Sequence, residues 1–518
     1  MNSRELTCVT GIFLLLMIIR IPALIGPANL SQDATEYIDI ARNVADGDGL
    51  VLKIRAYFLG DGYTLPYPSA SLRSPLFPYL MGKTYAMLRS PGVFRWFNLG
   101  MFFLNMVLLV LILRRVLPFQ LMAYSLLLIG LSEPMFLTSI FPWAEQTAFF
   151  WLLLALLLAG IELHRRWGWA GATFEGFTSA MAGLSRPEYM LVSILFLAWL
   201  ALRERRVLWV GAFLVGCLTP GIIVSALNFH DYGRIFLPGD YLFRSRHYSS
   251  YFSWEITASA GAGGFVVSNW IWIVQRILHN AVNYIAKLIG WKDLFALVLA
   301  LPLVLRNAVQ SPESWRKQLL TFVPLAFFCA YCAIWAGIDR ERYLLAVTTF
   351  LLPLCVDEVH RWSRAARRPW VRIACLGILV ANLPLLLGYT VAADFKLLHR
   401  KTVGERFYAS ENPAWSNPDL AQLADWIRSN VGPNEVTCLE NPFLVNYQTG
   451  RLTLLLPERT KREEFLKFLR YYSVRYWVNN KVLTKYRPAD LAGLERVVQE
   501  SGAREVARCG TFQVWRIP

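Results

Sequence analysis

The sequence predicts a polytopic α-helical membrane protein with about eleven crossings and a small α/β domain outside the membrane at its C-terminal end. Three observations predict it. Only 17 % of the 518 residues are charged and 55 % are hydrophobic, whereas soluble domains carry about a quarter charged residues. The apolar residues fall in runs of about fifteen to twenty positions, not in the short alternation of barrel strands. Short basic clusters separate the runs. A cytosolic enzyme, a disordered chain and an outer-membrane barrel are thereby excluded.

The first run, from about Cys8 to Leu30, lacks a small-x-small cleavage site and reads as an uncleaved anchor. Further spans are expected near 93–113, 119–141, 146–163, 170–184, 188–202, 207–228, 293–305, 319–337, 343–358 and 371–391. The stretch 266–290 is amphipathic, with Trp270 and Trp272, and suits the membrane interface. Formal charge is +16, but its placement argues against nucleic acid as a partner. Arg114-Arg115, His164-Arg165-Arg166, Arg203 to Arg206, Arg316-Lys317 and His360 to Arg368 all fall on one side, the cytoplasmic side by the positive-inside rule. The loops 31–92, 229–265 and 338–342, and everything after about 392, then lie outside.

The expected domains are 1–400, membrane-embedded with its first outside loop at 31–92, and 401–518, soluble. In the tail, Asn417-Pro418 caps a helix through Ile427. Strands follow at Val436–Leu439, 452–456, 474–478, 504–508 and 511–516, with helices at 460–471 and 487–500. Cys438 and Cys509 lie in this tail, either as a disulfide in an oxidising compartment or as two free thiols. Cys329 and Cys332 form a CxxC within an apolar helix, with no second pair to complete a zinc site. The six histidines lack metal-ligand spacing, so no metal site is expected.

Chemistry concentrates in the first outside loop. Asp33, Glu36 and Tyr37 share one helical face, and the helix stops at Asp46-Gly47-Asp48-Gly49. An aromatic, proline-punctuated stretch follows, from Pro68 through Arg73-Ser74-Pro75-Leu76-Phe77-Pro78 to Tyr79. On spacing alone two readings stand: Asp33 and Glu36 as a capping box that only starts the helix, or as a site.

These motifs resemble the GT-C superfamily of membrane glycosyltransferases, in the branch of protein O-mannosyltransferases and lipid A aminoarabinose transferases. The acidic residue directly after the first span and the basic-x-Pro-Leu-aromatic-Pro element at Arg73 to Pro78 carry the likeness. Trp143-Ala144-Glu145-Gln146-Thr147 is similar to the family's Thr-Glu element, Gly183 to Glu188 to its Gly-Leu…Arg-Pro-Glu turn, and Glu341 to Leu345 to its Arg-Tyr-Leu-Leu. Asn228 with Gly233 resembles its Arg-Asn…Gly without the arginine. The outside domain is matched by Asp419 to Val431 and by Tyr447 to Arg451. Where many members have Asp-Glu this chain has Asp33-Ala34, and where the aminoarabinose transferases have Lys-Pro-Pro-Leu it has Arg73-Ser74-Pro75-Leu76.

The resemblance implies a bacterial inner-membrane enzyme that moves a sugar from a polyprenyl-phosphate donor to an acceptor hydroxyl on the extracytoplasmic side. The acceptor is a glycan, glycolipid or protein, and no cofactor is needed. A phosphate leaving group needs no general acid, so one carboxylate and one cationic clamp suffice and the anomeric carbon inverts. Asp33 is the expected base and Glu36 its helper or cap. Arg73 is the expected donor-phosphate clamp, completed by Arg340 and Arg342, for which a surface ion-pair cluster or a lipid headgroup anchor is the other reading. Tyr37, Tyr79 and Glu145 are expected to line the substrate cavity. Glu145, Arg186 and Glu188 lie near span ends, where pairing with one another is the structural alternative. Gly261 to Gly264 suits a loop over the donor cavity. Two other classes fit the spans: a polyprenyl-lipid or glycolipid transporter or flippase without transferase activity, and a protein that only binds such lipid. The long first loop, the outside domain and the lack of paired halves weigh against a transporter.

Overall fold

The structure is a computed structural model and describes residues 2–25, 31–56, 64–69, 73–204, 206–232, 262–289, 295–310, 315–333, 341–399, 418–457, 462–480 and 488–518. The chain runs through α1 (Ser3–Ile25), then α2 (Gln32–Asp46) and α3 (Leu76–Leu88), before α4 (Val93–Leu113), α5 (Phe119–Leu131), α6 (Glu133–Ile140) and α7 (Glu145–Gly160). Next come α8 (Leu163–Ser185), α9 (Met190–Glu204), α10 (Val207–Tyr232), α11 (Ala262–Ile289), α12 (Leu301–Gln310), α13 (Trp315–Ala333), α14 (Leu345–Ala365) and α15 (Pro369–His399). The tail adds α16 (Pro418–Asn430), α17 (Pro442–Thr449), α18 (Arg462–Tyr471) and α19 (Pro488–Glu500). Two compact units result. One comprises Met1–Ala28, Pro91–Phe236 and Ile271–His399; the other Asn29–Ser90, Leu237–Trp270 and Arg400–Pro518. The expected boundary near 400 kept the first outside loop with the membrane domain, whereas the structure groups that loop with the tail.

In the helical unit, helix occupies each of the eleven expected spans, but fewer are long and apolar enough to cross a membrane. Among the described residues five helices pass that test, and α5 with α6, bent by 60°, makes a sixth. Four shorter apolar helices, Glu145–Gly160, Pro187–Leu202, Leu297–Asn307 and Leu320–Cys332, cover further expected spans. The span expected at 170–184 lies inside α8, whose Arg165, Arg166 and Glu175 lower its apolarity. Residues 26–30, 293–294 and 334–337, at the ends of three expected spans, lie outside the described residues.

Pairing between connections agrees with one topology. Glu5 meets Arg114 at 3.9 Å, Arg165 meets Glu204 at 2.7 Å, and Asn307 donates to Glu358 at 2.9 Å, all between segments assigned to the cytoplasmic end. Connections of the opposite end also meet: Arg95 donates to the Leu24 carbonyl at 3.0 Å, and Glu145 contacts Arg186 and Arg342. Burial follows the solvent logic of a bilayer. The most apolar stretches of α1 and α15 are only 22 % buried, whereas that of α14, the least apolar of the five, is 94 % buried. On α11, Ile271, Val274, Leu278, Val282 and Ile285 form an exposed apolar stripe, as the amphipathic reading of 266–290 expects.

The α5–α6 bend frees backbone carbonyls that hydrocarbon cannot hydrate. Pro134 enforces the bend, and three side chains accommodate it. Arg20, fully buried, donates to the Gly130 carbonyl at 2.5 Å and to Ser139 Oγ at 2.7 Å, with its guanidinium 4.2 Å from the Phe102 ring. Thr390 Oγ1 donates to the Leu131 carbonyl and Ser132 Oγ to the Ile129 carbonyl, each at 2.8 Å. Helices α8 and α10 are in backbone contact: a Cβ on Gly216 would stand 1.9 Å from the Thr173 carbonyl oxygen.

The second unit is an α/β sandwich around a six-stranded sheet. Its strands are β2 (Ile54–Arg55), β4 (Val436–Leu439), β5 (Thr453–Leu455), β6 (Val474–Asn480), β7 (Arg504–Cys509) and β8 (Phe512–Arg516), ordered β2-β5-β4-β6-β8-β7. The pairings among β2, β5, β4 and β6 are parallel, and β8 runs antiparallel to both its neighbours, β6 and β7. A separate ladder joins β1 (Val51–Leu52) to β3 (Tyr67–Pro68). Parallel strands are buried on both faces, which explains the unbroken Val-Thr-Cys-Leu run of β4. One face packs Ile40 and Val44 of α2, Phe465 and Phe468 of α18 and Val498 of α19 around Trp477. The other packs Leu423 and Ile427 of α16 and Leu444 of α17 against Val478 and Val514. Every expected tail element is present. Cys438 and Cys509 are free thiols in different cores, on strands separated by two others, about 14 Å by strand spacing. The alternative of a disulfide is therefore not the one the fold adopts.

Replacing Arg20 with Met strands the Gly130 carbonyl, which costs about 1–3 kcal/mol, while the Ser139 hydroxyl keeps its hydrogen bond to the Phe136 carbonyl. The thermal midpoint of purified Arg20→Met should fall by several degrees in detergent, while Ile18→Met, on an exposed face of α1, should leave it unmoved.

Candidate active site

The head of α2 is set by a side chain the sequence reading passes over. Ser31 is the N-cap, its Oγ accepting from the Ala34 N–H at 3.2 Å. Asp33 and Glu36 thus form no capping box, and the structure removes that alternative. Gly47, at φ 92°, closes the helix in the left-handed region where glycine is favoured.

Arg73 is brought to these carboxylates by the β1–β3 ladder, through Ser69 N–H to the Leu50 carbonyl (2.9 Å) and Arg73 N–H to the Ser69 carbonyl (2.7 Å). Its Nε donates to Glu36 Oε2 at 2.6 Å, while Nη2 lies 2.5 Å from both Glu36 Oε2 and Asp33 Oδ1. The side chains of Asp33 and Arg73 keep 12 % and 13 % exposure; that of Glu36 keeps 1 %. Burial pushes the Glu36 carboxyl up to about 7, against the pull of Arg73 and with a further push from Asp33. Protonation of Glu36 therefore removes one negative charge from beside Arg73. Tyr37 joins the group, its ring 5.5 Å from the Arg73 guanidinium and edge-on to Phe77 at 4.9 Å. Tyr79, expected in the same lining, does not: it is exposed on α3, facing Lys83 Nζ at 5.4 Å.

A second constellation forms within the helical unit. Glu145, at the start of α7, holds Arg186 through Oε1, and the same oxygen is 3.2 Å from Arg342 Nε. Arg186 Nε also donates to Glu188 Oε1 at 2.7 Å. Arg342 stacks on Trp143 at 4.6 Å, and both arginines lie over Tyr343. Asn98 braces the turn leading to Glu145, its amide donating to the Thr138, Phe141 and Trp143 carbonyls. Arg342, expected to complete the donor-phosphate clamp, is held by Glu145; Arg340 lies outside the described residues, as does Gly261 of the expected cavity loop. Arg186 and Glu188 pair as the structural alternative anticipated, and Asn98 carried no sequence signal beyond being polar in an apolar span.

Over nearly its whole length the chain shares its fold with solved membrane glycosyltransferases of the GT-C superfamily. The solved structures that it resembles include ArnT from Cupriavidus metallidurans bound to undecaprenyl phosphate (TM-score 0.60, 14 % identity, 99 % of this chain and 98 % of that one). The apo form of the same ArnT matches at 0.59. The oligosaccharyltransferase AglB from Archaeoglobus fulgidus, in complex with an inhibitory peptide and a dolichol-phosphate, matches at 0.56, with 13 % identity over 98 % of this chain and 74 % of that one. No family model matches the sequence, and no curated protein does.

Because the folded Glu36 carboxyl titrates near 7 and an ordinary one near 4.5, its contribution to stability is full below 4.5 and lost as pH rises through 7. Thermal midpoints of wild type relative to Glu36→Gln should therefore decline between pH 5 and pH 8.

Proposed function

We propose that this protein is an integral membrane glycosyltransferase that moves a sugar from a polyprenyl-phosphate donor to an acceptor hydroxyl on the extracytoplasmic side of a bacterial inner membrane. The observation that carries the reading is the head of α2, where two carboxylates converge on one arginine, in a chain whose fold is shared with an ArnT bound to undecaprenyl phosphate.

Asp33, the more exposed carboxylate, is the base. It takes the acceptor proton as the acceptor oxygen bonds to the anomeric carbon, and the carbon–oxygen bond to the donor phosphate breaks on the opposite face. The sugar inverts, a hexosyl or pentosyl group is transferred, and polyprenyl phosphate leaves. Arg73 takes the donor phosphate bidentately as its contacts to the carboxylates loosen, and Glu36 holds the guanidinium until the donor arrives. Tyr37 packs beside the clamp. Arg342 and Glu145 form a second donor-side element, with Arg342 supplying positive charge. No metal is assigned a step.

Proteoliposomes given a polyprenyl-phosphate sugar should release free polyprenyl phosphate with wild type, and at least about a hundredfold more slowly with Asp33→Asn. Arg73→Ala should weaken donor binding more than Arg73→Lys does. Full turnover by Asp33→Asn removes the base. Donor translocation by a wild type that releases no polyprenyl phosphate turns the reading to a flippase.

A further inference from the structure

We propose that Asp39 and Arg42 are positioning residues that tie the carboxylate-bearing helix to the C-terminal sheet, so that the tail is part of the catalytic apparatus and not an appended module. The inference rests on the glycosyl-transfer reading of Asp33 and Glu36.

Helix α2 is held on all sides: twelve of its fifteen residues are buried. Glu36, Asp39 and Arg42 follow one another at intervals of three, so each lies about a turn below the last. Asp39 Oδ2 accepts the Lys53 N–H at 2.6 Å, and the Lys53 carbonyl accepts the Thr453 N–H at 2.9 Å. Lys53 directly precedes β2, whose Ile54 and Arg55 lie in parallel register with Thr453 and Leu454 of β5. A continuous polar path thus runs from the helix below Glu36 into the tail sheet. Arg42 makes a second tie. Its Nη1 donates to the Tyr447 carbonyl at 2.6 Å, and its guanidinium lies 4.7 Å from the Tyr447 ring. Tyr447 belongs to α17, anchored by Asn441 at its N-cap and by Gly450, φ 67°, at its C-cap. Ile40 and Val44, on the apolar side of the same helix turns, enter the core with Leu454, Phe465 and Trp477.

A burial energy alone would hold α2 against the sheet, but apolar contact tolerates sliding and rotation. Two hydrogen-bonded ties about a turn apart fix the helix in register. Register matters because Asp33 and Glu36 must reach one guanidinium, and a displacement of about 1 Å at a reacting group costs up to about a hundredfold in rate.

The test uses the full-length protein in proteoliposomes, with undecaprenyl-phosphate sugars as donor. Arg42→Ala and Asp39→Ala should lose about ten- to a hundredfold in kcat, with KM for the donor changed less than threefold. Arg42→Lys and Asp39→Asn, which keep the donor and the acceptor of each tie, should recover most of the loss. Hydrogen exchange reads the same ties without any turnover: amides at 33–38 should exchange faster in Arg42→Ala than in wild type, with the tail strands unchanged. Wild-type kcat and wild-type exchange in both alanine variants would overturn the proposal, as would conservative variants no better than alanine. A wild type that turns over no donor, with faster exchange in Arg42→Ala, retires the transferase reading and keeps the positioning.

Discussion

Two carboxylates cannot share a buried helix head without a cation, and much of the second unit answers that constraint. Asp33 and Glu36 stand one turn apart on α2, where mutual repulsion and loss of water would otherwise drive both to the neutral acid. Arg73 resolves the conflict only if it arrives from a fixed direction. Hence the two-residue ladder of β1 and β3, the hydrogen bond from Ser69 to the Leu50 carbonyl and the packing of Tyr37 on Phe77. Gly82 belongs to the same arrangement. A Cβ there would stand 2.6 Å from the Ala41 carbonyl oxygen, so α3 can lie against α2 only because position 82 is bare.

The helical unit meets the same problem with a different solvent. Buried Glu145 is matched by Arg186 and Arg342, and the carbonyls freed between α5 and α6 are matched by Arg20 and Thr390. In each case a polar group enclosed away from water finds its partner on a segment distant in sequence. Such partners set which helices meet more strictly than apolar contact does, because lipid tails compete equally well for an apolar face.

Much of this was legible in the sequence. Runs of apolar residues and basic clusters locate the helices and their ends, because both follow from the cost of placing charge in hydrocarbon. Strands β4 and β5 are legible because parallel strands within a sheet must be apolar on both faces. Asp33, Glu36, Arg73 and Tyr37 were legible as members of one loop pattern, and they meet. What stays hidden depends on distance along the chain. Strand β2 is two residues long and exists only through its pairing with β5, some 400 positions later. Helix α17 carries Asn441-Pro442 and Gly450 as its own start and stop, yet its eight residues are too few for a helical period to show. Tyr79 shares the aromatic pattern of its neighbours, but α3 begins at Leu76 and turns that ring outward. The pairing of Arg342 with Glu145 depends on which helices pack, and no local spacing encodes that.

The enclosure of α14 bears on how the molecule is made. A span enters the bilayer unaided when its surface suits lipid, as the peripheral α1 and α15 do. Helix α14 is different: Asp357, Glu358, Thr348 and Thr349 are buried along it, and they suit protein and not hydrocarbon. It is synthesised after α1 to α13 and before α15. Its polar surface therefore emerges when α5, α12 and α13, three of the helices that pack against it, have already been made, and α15 closes on it afterwards; the order of the chain doubles as an order of assembly.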